Sequence, residues 1–168
     1  MSLHSEFIEL WKASPDSLRK ISIALTNEAD KYFSEYESLR PNTQVFAETG
    51  GGGVHFSTFY TKQNSFPVVM TVPEAGVTLP LSRSFEDFFS LGAWLGFGYL
   101  EELVWDKSAF SEEFNNAQNL LDSFPEKVRK VSLPLIDELS SKYHCNKKPD
   151  INSQLSAAEK LYDEFLAS

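Results

Sequence analysis

The stretch Ser84–Phe114, SFEDFFSLGAWLGFGYLEELVWDKSAFSEEF, constrains the fold more than any other part of the chain. It carries nine aromatic residues, seven acids and a single base, Lys107. Aromatic rings bury large apolar areas, whereas unpaired carboxylates stay in water. The segment must therefore turn one face inward and show the other, joining a core to a negatively charged surface. Ser84 reads as a helix N-cap, with Glu86 and Asp87 in the first turn. Phe85, Phe88, Phe89, Gly92 and Leu95 share one face, and Gly96 and Gly98 interrupt it. A second short helix is expected from about Tyr99 to Asp106. A third opens at Ser111-Glu112-Glu113, with Phe114, Ala117, Leu121 and Phe124 inward, and ends at Pro125.

Upstream, Leu3, Phe7, Leu10 and Trp11 recur at helical spacing. Ser14-Pro15-Asp16 then marks a fresh helix start. Leu18, Ile21, Leu25, Ala29, Tyr32, Tyr36 and Leu39 predict one long helix ending before Pro41. Its stripe could pair with a second chain, but such a stripe more often faces the protein's own core. From Thr43 the period changes. TQVFAE and VHFSTFYT alternate β-branched and aromatic residues, and Gly50–Gly53 between them suits a turn. FPVVMTVP is continuously apolar and predicts a central strand buried on both faces, and VTLPL adds a short edge strand containing Pro80. Downstream, Val128, Val131, Leu135 and Leu139 continue a helical stripe divided by Pro134. Asn146–Pro149 is a turn, and Leu155, Ala158, Tyr162 and Phe165 mark a terminal helix. These elements make residues 1–168 a single α+β domain.

Charge limits the partners. Lys and Arg total 15 against 24 Asp and Glu, a net charge of −9. That balance repels phosphate backbones and anionic membranes, so neither nucleic acid nor membrane is expected as a partner. It favours a basic partner, or serves solubility alone, which is commoner. The lone Cys145 cannot form an internal disulfide, and the N-terminal residues lack a basic-then-apolar pattern. No apolar run approaches the roughly 20 residues that span a bilayer. A cytoplasmic protein is the expectation.

No reaction chemistry stands out. The glycine run lacks the Gly-Lys-Ser/Thr ending of a phosphate loop and precedes a strand rather than a helix, so a hairpin loop is the simpler reading. His55 lies between aromatic strand residues. It could act as a base, ligand or contact residue, but a lone strand histidine is more often a hydrogen-bonded structural group. His4 and His144 have no ligand-type spacing to it, and His144-Cys145 are sequence neighbours rather than a dyad. No metal or cofactor is expected. Trp105 is more informative. On a helix beginning near Tyr99, Leu100 and Val104 face one way, whereas Trp105 falls among Glu101, Glu102 and Asp106. An exposed Trp ringed by carboxylates would form an interface hot spot for a basic partner. Trp is highly buried on average, however, so cover from another element is the commoner arrangement.

The glycine turn, the strand VHFSTFY, the apolar strand FPVVMTVPE and then SRSFEDFFSLGAWLGFGYLEELVWD together resemble the SUKH superfamily. That superfamily includes bacterial toxin-immunity proteins and fungal cell-wall-assembly regulators. Its members carry a strand followed by a helix that opens in a similar Phe-Glu-x-Phe-Leu pattern. The likeness covers about Gly50 to Asp106. It implies a curved, mainly antiparallel sheet flanked by helices, no catalysis, and an immunity-like role in blocking a cognate toxin, often a nuclease. The expected function is therefore a non-enzymatic protein-binding module whose partner-binding residues are Trp105, Glu101, Glu102, Asp106 and His55. The alternatives are a small hydrolase or metal-dependent enzyme using His55, and a dimeric regulatory scaffold built on the Leu18–Leu39 stripe.

Overall fold

Two β-bulges shape a five-stranded antiparallel sheet whose order follows the chain, β1-β2-β3-β4-β5. The computed structural model describes residues 8–9, 12–13, 15–20, 22–25, 43–59, 67–116, 141 and 150–167. The strands are β1 (Ala24–Leu25), β2 (Thr43–Glu48), β3 (His55–Phe59), β4 (Val68–Val72) and β5 (Val77–Ser82). The helices are α1 (Pro15–Lys20), α2 (Phe85–Leu95), α3 (Glu102–Trp105), α4 (Lys107–Asn115) and α5 (Ile151–Leu166), with 3-10 turns at Pro73–Ala75 and Phe97–Glu101. The chain is thus an α+β protein. No helix among the described residues is long and apolar enough to cross a membrane.

The β2–β3 hairpin forms where the glycines allow it. Gly50, Gly52 and Gly53 all take positive φ, a region that costs other residues steric strain. The loop closes through Thr49 N–H on the Val54 carbonyl and Val54 N–H on the Gly51 carbonyl. In β2 the bulge between Val45 and Ala47 gives Phe46 no opposite number. Phe46 and Ala47 both join the main core as a result. The second bulge, at Val68/Val69, sets Leu81 between the paired Ser82 and Pro80, and Leu81 is fully buried. Pro80 sits there on the edge strand, where its missing N–H does least harm. All five β4 residues are buried, in keeping with a run that is apolar apart from Thr71.

The main core lies between one sheet face and α2. Ser84 Oγ accepts the Asp87 N–H at 3.1 Å and starts that helix. Phe85, Phe88 and Phe89 then face Phe46, Phe56 and Phe97, with ring centroids 5.0–6.2 Å apart. Each such ring contributes about 1.5–3 kcal/mol by leaving water. Gly96, at φ 89°, turns the chain out of α2, and the Phe97 ring folds back directly onto Gly92. The terminal helix α5 covers the β5 edge. Its first half adds Ile151 and Leu155 to the main core. Its second half brings Tyr162, Leu161 and Phe165 against Phe59 and Val69.

Two expectations need correction. The long Leu18–Leu39 helix is broken near its start, and its remainder from Ala29 to Leu39 lies outside the described residues. α1 ends at Lys20, Ser22 takes a left-handed φ of 58°, and Ala24–Leu25 pairs with Ala47 and Glu48 as an edge strand. Ile23 enters the core, which outweighs the helical period of that short stretch. The helix expected to open at Ser111 begins at Lys107, because the Asp106 carboxylate accepts the Ala109 N–H at 2.8 Å and caps it earlier. The opening helix lies mostly outside the described residues, and the stripe from Ala117 to Leu139, the Asn146–Pro149 turn, His4, His144 and Cys145 lie wholly outside them.

Candidate interaction site

The Phe97–Trp105 segment is pinned from below. Phe97 and Leu100 are fully buried, Leu103 is buried, and Val104 packs against the same core. With Leu100, Leu103 and Val104 anchored, the short helix leaves Glu102 and Trp105 facing outward and Glu101 half-buried beside them. Trp105 is accordingly 52% exposed, one of the few large apolar side chains among the described residues that face water. About half of Trp105 is thus open to water, so no element among the described residues encloses it, and the less common arrangement is the one found.

Three carboxylates surround it in sequence. The Trp105 indole N–H donates to Glu101 Oε1 at 3.4 Å, one helical turn back. Glu102 and Asp106 are exposed. Asp106 also performs two backbone tasks. Its N–H donates to the Glu102 carbonyl at 2.8 Å, closing α3, and its carboxylate caps α4. The acids therefore stand on backbone fixed at both ends. On α4, Glu112 adds another exposed carboxylate. Lys107, which the sequence did not single out, donates to Glu159 on α5 at 3.3 Å. Nothing local signals this pairing, because its partner lies 52 residues away.

His55 lies elsewhere. It is fully buried on β3, paired with Glu48 on one side and Thr71 on the other. Its Nδ1–H donates to the Gly53 carbonyl at 2.8 Å, closing the glycine loop. Burial lowers its pKa below the usual 6.5, and the bond to Gly53 opposes that fall. The structure thus groups Trp105, Glu101, Glu102 and Asp106 and leaves His55 out. As a buried group it presents no side-chain surface for a partner to touch. Beside it on the sheet, Thr71 and Thr78 share a hydroxyl hydrogen bond at 3.2 Å.

A separate groove of about 430 Å³ runs between α5 and the start of α2, lined by Arg83, Asp87, Lys160, Leu161 and Glu164 among others. Gln154 spans the two helices by donating to the Asp87 carbonyl at 2.9 Å. Its charges are of both signs and favour no one ligand class. Among the described residues no group of three or more His, Cys, Asp or Glu is arranged to hold a metal ion. No protein-family model, curated protein or solved structure matches the chain.

Proposed function

We propose that this protein is a non-enzymatic protein-binding module that docks a basic partner on the Trp105 face. The SUKH resemblance extends the proposal to a cytoplasmic immunity protein that neutralises a cognate basic toxin such as a nuclease. One observation carries it: a half-exposed tryptophan stands among carboxylates on a short helix whose opposite side is anchored in the core. A rigid aromatic loses little entropy on docking, and flanking carboxylates give the encounter direction. The enzyme reading built on His55 loses its main attraction, since the imidazole is enclosed rather than open to substrate. The dimeric-scaffold reading loses its continuous stripe at Ser22.

The test is a calorimetric binding titration against the product of the neighbouring gene, which on this reading is a basic toxin. Trp105→Ala should weaken binding about 30-fold, the equivalent of a hot spot of about 2 kcal/mol. Added salt should weaken it further. A complex that forms equally well with Trp105→Ala and at high salt would defeat the proposal, as would no complex at all.

A further inference from the structure

Trp105 is held by one edge. Its ring N–H points at the Glu101 carboxylate, while about half of the residue stays open to water. The nearest base in sequence, Lys107, is drawn across to Glu159 on α5. The site therefore combines an apolar, electron-rich ring face with a carboxylate at the ring's rim, and the neighbouring Glu102 and Asp106 keep the local charge negative.

The two cationic side chains meet such a site differently. A guanidinium is planar and weakly hydrated. It can lie flat on an indole while its in-plane N–H groups reach a carboxylate beyond the ring edge. An ammonium is compact and strongly hydrated, so contact with the ring face draws it away from the rim oxygens and strips its water. Building on the docking reading above, we infer that the partner residue seated on Trp105 is an arginine, stacked on the indole and donating to the Glu101 carboxylate. Glu102 and Asp106 act as the surrounding field. A second copy of this chain, itself strongly acidic, is the wrong occupant on charge alone.

The full chain, labelled with ¹⁵N, is titrated at low ionic strength with two capped peptides. They are identical except that one carries arginines where the other carries lysines. The Trp105 indole N–H resonance is identified by its loss in Trp105→Phe. The arginine peptide should shift that resonance and bind about three- to fivefold tighter than the lysine peptide. Glu101→Gln should abolish the preference while leaving the fold, monitored on the other resonances, unchanged. Equal binding and equal shifts from both peptides would overturn the arginine assignment but leave an acidic docking face standing. No shift at Trp105 from either peptide would overturn both. A shift confined to other residues would place the cation elsewhere and likewise refute the inference.

Discussion

A methyl group at Gly92 would fall within the Phe97 ring. Replacing a helix-interior glycine by alanine ordinarily stabilises by about 1 kcal/mol. Here overpacking against a ring in the middle of the core reverses the sign. Gly92→Ala should destabilise by about 2 kcal/mol or more, read from the urea midpoint. Gly51→Ala, with open space around it and no positive φ, should stay within about 0.5 kcal/mol of the parent. The sequence placed Gly92 on the inward face. It carried no sign that Phe97 would turn back over it, because that depends on how Gly96 directs the chain. His55 makes a second prediction. Its folded pKa lies below the unfolded value of 6.5. Above that pH both states hold a neutral ring and the group is silent. As pH falls through 6.5, the unfolded chain takes up a proton that the folded one resists, and stability drops until the folded pKa is passed. Urea midpoints between about pH 7.5 and about pH 5 should therefore fall more steeply for the parent than for His55→Gln. Parallel slopes would contradict the assignment.

Among the elements, those with one clean period were readable in advance. β2, β3 and β4, the glycine hairpin, the Ser84 cap and α5 all follow from alternation, capping and apolar spacing. The α1–β1 passage was not readable. Its few apolar residues fit either a helical stripe or an edge strand, and the pairing of Ala24–Leu25 with β2 is a long-range contact that no local pattern encodes. The exposure of Trp105 was hidden for the same reason, since spacing fixes its direction but not whether another element lies over it. The terminal helix offers a test at this scale. Its two halves rest on different clusters, Ile151 and Leu155 on the main core and Tyr162 and Phe165 on Phe59. The Phe165 ring lies 4.4 Å from that of Phe59. Phe165→Ala should cost about 1–3 kcal/mol locally and raise amide hydrogen exchange over the last turns of α5. Protection near Leu155 should persist, and uniform loss along the helix would show that α5 detaches as one unit.

For the molecule as a whole, the question is whether its net charge of −9 or the placement of that charge governs association. A uniformly acidic body attracts any basic partner, with a rate set by net charge alone and damped by salt. A docking face adds orientation, so carboxylates near the landing residue count for more than distant ones. Two triple variants each remove three negative charges. One is Glu101→Gln with Glu102→Gln and Asp106→Asn, the asparagine keeping the α4 cap. The other is Glu74→Gln with Asp163→Asn and Glu164→Gln, all exposed and outside the Phe97–Trp105 segment. In stopped-flow association with a basic partner, the first should lower the on-rate about tenfold and flatten its salt dependence, and the second should lower it only about twofold. Trp105→Ala should leave the on-rate and its salt slope nearly intact and act on dissociation, because a buried aromatic anchor forms its contacts after encounter. Equal losses from the two triple variants would mean that bulk charge alone draws the partner in, and that the Glu101–Asp106 turn has no special place in recognition.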